Sequence, residues 1–377
     1  MLKCISPVRV KIKKQEERKM LKKKLAMLLA VVMMLGCLAG CGGDKKEDPA
    51  PSAPEQSTET PKETPKVDPI VYRVSSQAAD GQPIDVGLDT LAQVVEERTE
   101  GRVKIEVFPG GTLGTEGEMR DMVEEGTLDM CSIGYTIISN WYKELYLPQM
   151  LFGFTSVDEC LAIMEGEFGE KYFNEPLMNE HGIRALDQWG MAPRILMSKK
   201  PVRSLEDLKG LKLRIPSGLP VREESYKRLG AMTVSLGLAD TYTAISQGVC
   251  DAVELPIDSL AAYHFNEECK YLTFTNHMIY SNALLMNEDN FQKMSAEDQE
   301  IFLQCVEEAG TAMSDNMNGS VDGIYEAFKA DGVELIELSD AEMKKFQDVI
   351  TPLYDEYMSE WGETAYNDFM AAMDEIR

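Results

Sequence analysis

The feature that most limits the fold is a change of apolar spacing that repeats along residues 71–133. Val71-Tyr72-Arg73-Val74 alternates as a short strand does, and Leu88, Leu91 and Val95 then recur at helical spacing up to Gly101. From Arg102 to Phe108 the apolar Val103, Ile105 and Val107 alternate with Arg102, Lys104 and Glu106, so one face of that strand meets a core and the other meets water. Met119, Met122 and Val123 mark a helix ending near Gly126, and Leu128–Ile133 reads as a buried strand. Strand, helix, strand in this order predicts an α/β domain.

A second unit of the same kind begins around Ala192. Ser204-Leu-Glu-Asp207 has the spacing of a helix-starting capping box, with Asp in place of the preferred Glu, and Gly210 ends that short helix. Leu211, Leu213 and Ile215 alternate with Lys212 and Arg214 up to Pro216, which sets Arg214 off the apolar face at the carboxyl end of a strand, where α/β folds usually hold ligands. Helices are expected over Val221–Leu229 and Thr241–Gly248, and a buried strand over Ala252–Leu255, closed by Pro256. The last third reads as helical. One helix opens at Ser295 with Ile301, Cys305 and Ala309 on one face, and another follows Ser339 with Met343, Phe346 and Ile350. A chain of 377 residues with two such units is long enough for two cores.

The N-terminus reads as an address. Met20-Leu-Lys-Lys-Lys24 is a basic start, Leu25–Gly40 is almost wholly apolar, and Leu38-Ala39-Gly40-Cys41 resembles the lipobox at which bacterial lipoprotein precursors are cut and acylated. The apolar run falls short of the roughly 20 residues of a membrane-spanning helix. Residues 1–40 are therefore expected to be a signal peptide, with 1–19 an extension ahead of a true start at Met20. Residues 41–69 then form a lipidated Cys41 and a linker rich in Pro, Thr, Glu and Lys that cannot bury enough surface to fold.

Charge and residue chemistry remove several classes of function. The net charge is -26, and residues 1–40 carry ten Lys and Arg against two acids, so the remainder stands at -34, which repels nucleic acid. Cys131, Cys160, Cys250, Cys269 and Cys305 are odd in number and widely spaced, as buried free thiols are, and unlike a disulfide framework or zinc site. His181, His264 and His277 fit no H-E-x-x-H pattern, and neither G-x-S-x-G nor a glycine-rich phosphate loop occurs. No enzyme activity, metal or cofactor is expected.

Four blocks, in order, resemble the substrate-binding proteins of TRAP transporters in the dicarboxylate-binding lineage. They are Gly101–Pro109 with Gly111-Thr-Leu-Gly114; Gly126-Thr-Leu-Asp-Met130; Lys200–Arg203 through Asp207–Pro216; and Tyr242–Gly248 through Pro256. The similarity runs from Tyr72 to about Met294. It implies a two-lobed, periplasmic-binding-protein-like α/β clamp with crossover segments, a long connecting helix and a helical C-terminal region. Lobe I would hold residues 70–191 plus 280–319, and lobe II residues 192–279 plus 320–377. The implied function is capture of a small organic acid and delivery to TRAP membrane permease subunits, from the outer face of the cytoplasmic membrane. A ligand-sensing module for a membrane receptor is the alternative, with an exported enzyme ranked behind it.

The same resemblance points to site residues. Arg214, in Leu-Arg-Ile-Pro, matches the arginine that pairs with the ligand carboxylate, and a guanidinium fork suits two carboxylate oxygens. Arg194 matches a second contact position, or braces the hinge. Trp189 offers a flat wall, or packs as a core indole. Glu116 and Glu118 follow Gly114 where the family places polar groups near the cleft, although acids at a helix start explain them as well. Tyr135 and Tyr242 match positions that border the pocket or fill the core. Two departures stand out: Leu255 replaces the family's ligand-bonding Asn in Glu254-Leu255-Pro256, and Leu238 stands where an aromatic is frequent. Leucine donates no hydrogen bond, so the pocket is expected to be more apolar there.

Overall fold

A computed structural model describes residues 68–377; the expected signal peptide, Cys41 and nearly all of the linker lie outside the described residues. Strand β1 (Ile70–Ser76) buries Tyr72 and Val74, and α1 (Pro83–Arg98) follows with Pro83 in its first turn, where no N–H is needed. Next come β2 (Val103–Phe108), α2 (Glu116–Glu124), β3 (Met130–Gly134) and α3 (Val157–Met164). Strand β4 (Ile183–Gly190) is followed by β5 (Arg194–Ser198), β6 (Lys212–Ile215), α4 (Pro220–Arg228), β7 (Met232–Ser235), α5 (Leu238–Ser246) and β8 (Ala252–Leu255). The chain continues through α6 (Ile257–Ala262), β9 (Tyr271–Met278), β10 (Ser281–Asn287), α7 (Ala296–Ala330), β11 (Glu334–Glu337), α8 (Asp340–Trp361) and α9 (Glu363–Ile376).

The strands form two mixed sheets, ordered β2-β1-β3-β10-β4 and β11-β9-β5-β8-β6-β7. In the first, β1 runs parallel to β2 and β3, while β10 is antiparallel to β3 and β4. In the second, β8, β6 and β7 are mutually parallel and β5 lies antiparallel between β8 and β9. The chain passes from one sheet to the other between β4 and β5 and returns between β9 and β10. These two crossings are tied together, because the Met191 N–H donates to the Tyr280 carbonyl at 3.0 Å.

Each sheet has its own core, and α7 joins both. Phe302, Cys305, Val306, Ala309 and Met313 on its first half pack with Leu88, Leu91 and Trp189, while Phe328 near its end packs with Ile195, Val253 and Phe265. At 1.5 Å per residue its 35 residues extend roughly 50 Å, long enough to span two domains. The C-terminal helices close the structure from another side: Phe369 of α9 meets Phe154 and Phe168 edge-on, and Arg228 of α4 bonds to Glu356 of α8.

Two local expectations need correction. Residues 205–208 form a single 3-10 turn in place of a short α-helix, and the Ser204 hydroxyl caps no backbone N–H; it donates to Asp207 Oδ2, which also accepts from the Arg203 N–H. The missing half of the box is the one in which the hydroxyl would accept from the Asp207 N–H. The true box lies at α2, where Thr115 and Glu118 cap each other. The five cysteines of the folded region are free and buried, as expected.

Candidate ligand-binding site

A cluster of buried polar side chains lies along β5, β6 and β8 in the second sheet. It begins with Glu254, an acid inside the apolar strand β8 with none of its surface exposed. Antiparallel pairing of β5 with β8 brings Arg194, at the start of β5, alongside. Arg194 Nε donates to Glu254 Oε2, and its Nη2 donates to the Glu254 main-chain oxygen at 2.6 Å. On the same carboxylate, His277 Nε2 stands 3.2 Å from Oε2; the imidazole also lies 2.7 Å from the Tyr226 hydroxyl and 2.6 Å from Thr275 Oγ1. Burial opposes ionisation of Glu254, but Arg194, His277 and Arg222 outweigh it and hold the carboxyl well below the usual range. Burial also lowers the pKa of His277, against the pull of Glu254.

Arg214 occupies the other side of β8, because β6 pairs in parallel with it and sets Arg214 level with Val253. Arg214 lies between Leu213 and Ile215 along β6 and is buried, at 3% exposed. Its Nε donates to the Leu236 carbonyl at 3.0 Å, and among the described residues no carboxylate forms an ion pair with it. Desolvation pushes its pKa down to about 10, still high enough for a cation at neutral pH. Arg222, in the first turn of α4, is the third buried arginine. Its Nη1 lies 3.8 Å from Glu254 Oε1.

Three groups from the first sheet's side face this cluster. Glu116, at the start of α2, accepts the Gly134 N–H at 2.9 Å; burial raises its carboxyl pKa against the opposing effects of that N–H, Arg194 and Arg222. Tyr280, in the return crossing, holds its ring centroid 5.5 Å from the Arg194 guanidinium. Tyr135 is buried, with its hydroxyl donating to the Pro148 carbonyl at 2.6 Å and its phenol sensing the charge of Arg222.

The remaining candidates fall elsewhere or carry no polar function. Trp189 packs in the first core and donates from Nε1 to Asp187 at 2.9 Å. Glu118 is engaged in capping α2. Tyr242 donates to Glu267 at 2.6 Å and lies against the second core, as do Leu238 and Leu255. The residues that sequence reasoning missed are Arg222, Tyr226, His277 and Tyr280. The one signal that could have pointed to them was the charge of Glu254 inside an apolar strand, since such a charge requires buried partners.

A model of bacterial extracellular solute-binding protein, family 7, matches residues 74–360. The chain belongs to that family. The sialic acid-binding periplasmic protein SiaP of Vibrio cholerae is 26% identical over 292 residues, which cover 77% of this chain and 89% of that one. A TRAP periplasmic solute-binding protein from Pseudomonas putida F1, solved with bound D-glucuronate, matches with a TM-score of 0.73 at 25% identity, over 81% of this chain and 97% of its own. The sugar-acid-binding protein DctPAm of Advenella mimigardefordensis, solved with galactonate, shares the fold with a TM-score of 0.77 at 20% identity, over 82% of this chain and 100% of its own. The α/β fold of two mixed sheets, with its long helix and C-terminal helices, is thus the family's fold.

Proposed function

We propose that this member of the family captures a small organic acid outside the cytoplasm and delivers it to the membrane subunits of a TRAP transporter. One observation carries the reading: among the described residues Arg214 is a buried guanidinium with a single hydrogen bond, to a carbonyl, and no paired acid. A desolvated charge of that kind is costly unless an anion joins it. The relatives that hold sialic acid, D-glucuronate and galactonate all take carboxylic acids, which supports the same class here.

In this reading the two sheets belong to two lobes, residues 70–191 with 280–319 and residues 192–279 with 320–377. A ligand contacting both favours their closed arrangement. Arg214 and Arg194 face the acid, and Glu116, Tyr135 and Tyr280 bound it from the first lobe. Acylation at Cys41 would hold the protein at the outer membrane face; among the described residues no helix is long and apolar enough to cross a membrane. Replacing Cys41 with Ala should abolish incorporation of labelled palmitate, and undiminished labelling would refute the anchor.

A thermal-shift screen against aliphatic, aromatic and sugar acids tests the capture. A ligand at 100 times its dissociation constant adds about 2.7 kcal/mol, enough to move the melting point by several degrees. Arg214→Ala should weaken binding by about 2–5 kcal/mol, the range for breaking a buried charged pair. Unchanged affinity in that variant, measured by calorimetry, would refute the role of Arg214.

A further inference from the structure

We propose that Phe152, together with the C-terminal helices α8 and α9, is a latch that holds the two lobes at a set angle when no ligand is bound. This inference rests on the two-lobe reading above and adds to it a contact, outside the two crossings, that governs how the lobes sit.

Phe152 has an unusual backbone. Its φ of 64° lies in the left-handed region, and beside Glu100, His264 and Asn276 it is the one large apolar side chain among the described non-glycine residues at positive φ. That conformation is unfavourable for a bulky aromatic and persists only where the surroundings over-determine it. The surroundings here come from several parts of the chain. The Phe152 N–H donates at 2.7 Å to the carbonyl of His277, in β9 of the second sheet. Its side chain borders a cavity walled by Leu196 of β5, Tyr226 of α4, Leu229, His277 and Phe346 of α8. Phe152 itself belongs with the first sheet: Val157, soon after it in the chain, opens α3 and packs directly over Gly190 of β4, where a Cβ would collide with it. A first-lobe residue therefore reaches the second lobe through both its main chain and its ring.

The C-terminal helices hold the residues that follow. Gly153 lies under Tyr354 of α8, and a Cβ there would stand 2.6 Å from the Tyr354 hydroxyl, so a side chain would displace that ring. The Gly153 carbonyl accepts from Arg377 Nη2 at 2.9 Å, and Arg377 Nε donates to Glu159 of α3 at 3.3 Å. Phe154 meets Phe369 of α9 edge-on, and Asp368 accepts from Lys171 at 2.7 Å and from the Tyr172 hydroxyl at 2.8 Å. Helix α9 thus grips the first lobe, whereas α8 reaches the second through Phe346 in the cavity wall and through Glu356, which accepts from Arg228. Between Phe346 and α9 stands Pro352, inside α8, which lacks the N–H for one bond of the helix ladder and lets the helix bend there. Packing alone does not require a strained main chain where both lobes and both C-terminal helices meet; a fixed lobe angle does.

Pairs of nitroxide labels read that angle. Glu97→Cys and Lys209→Cys place one label on the exposed surface of each lobe, and the five native cysteines of the folded region are buried. Pulsed electron resonance distances would be measured without ligand on the chain from Gly42 onward, which keeps every described residue. Phe152→Ala should make the distance distribution roughly two-fold broader and displace it to longer distances, because the unlatched lobes sample more open arrangements. Arg377→Ala, which leaves the ring in place, should shift it the same way by less. Leu88→Ala, a cavity in the first core, should lower the melting point and leave the distances unchanged. Unchanged distances in folded Phe152→Ala overturn the latch, and so does a shift of equal size in Leu88→Ala. Should Phe152→Ala not fold, Arg377→Ala decides, and unchanged distances there overturn it. Each of these failures leaves acid capture standing, because the thermal-shift screen reads capture separately.

Discussion

Glu254 shows how one residue organises this site. It is a fully buried carboxylate, and Arg194 engages it through both its side chain and its backbone oxygen. Removing one member of a buried pair costs about 3–5 kcal/mol, because the partner's charge is left uncompensated. Glu254→Gln should therefore lower the melting temperature by several degrees and weaken acid binding with it; an unchanged melt would show that Arg194 is held by other groups. His277 gives a separate reading through pH. Burial depresses its pKa in the folded protein, so the unfolded chain binds a proton more readily. Its contribution to stability is present above the ordinary imidazole value of about 6.5 and is lost as pH falls through and below it. The raised carboxyls Glu116 and Asp258 act in the opposite sense, but equally in a His277→Gln variant. The drop in melting temperature from pH 7.5 to 5.5 should be smaller in His277→Gln than in the wild type, and equal drops would refute the assignment. Arg214 and Arg194 were legible in the sequence because they sit in motifs with fixed spacing. Arg222 was not, because Val221-Arg-Glu-Glu-Ser-Tyr226 reads as an ordinary polar helix start, and only tertiary packing buries its guanidinium.

Elements with an alternating pattern or a clear stop signal were read well from sequence, and buried strands without either were not. Strand β2 alternates as expected, and β8 ends at Pro256 as expected. Strands β5 and β10 are buried at every position, so they lack the period of two that betrays a half-exposed strand. Helix α5 starts three residues before its expected Thr241, because Gly237 and Leu238 carry no capping signal. Helix α1 offers a test in which two effects of known size compete. Gly87 faces α7, and a Cβ there would lie 2.9 Å from the Met313 Cβ and 3.1 Å from the Trp189 ring. Alanine in a helix interior gains about 0.8–1 kcal/mol over glycine. Overpacking a tight core costs about 1–3 kcal/mol, and neither the Met313 Cβ nor the indole can turn aside as a flexible chain end would. Gly87→Ala should thus destabilise the protein in chemical denaturation, whereas a gain in stability would mean that α1 and α7 separate easily.

At the scale of the molecule, the proposed capture depends on how two sheets joined by two short crossings and one long helix would move against each other. The crossings are held together by the bond from Met191 to Tyr280, and α7 contributes to both cores, so this side is where the proposed closure would hinge. A polar contact lies away from that hinge: Gln82 Nε2, just before α1, donates to Asp258 Oδ2 at 3.2 Å in α6. The first belongs with the first sheet and the second with the other, so this bond exists only while the proposed lobes are together. Asp258 keeps a second oxygen without a partner, and burial raises its pKa, which makes it a poor group to leave enclosed. The contact therefore contributes modestly, on the scale of about 1.5–3 kcal/mol for a hydrogen bond to a charged group, less the cost of burying the carboxylate. Gln82→Ala should shift the unliganded population toward the open form and weaken acid binding several-fold, because more of the ligand's binding energy goes into closure. Small-angle scattering should give a larger radius of gyration for the unliganded variant than for the unliganded wild type, with the two converging at saturating acid. Weaker binding with identical scattering would instead make Gln82 a direct ligand contact, and the closing motion would then have to be governed by other residues along α1 and α6.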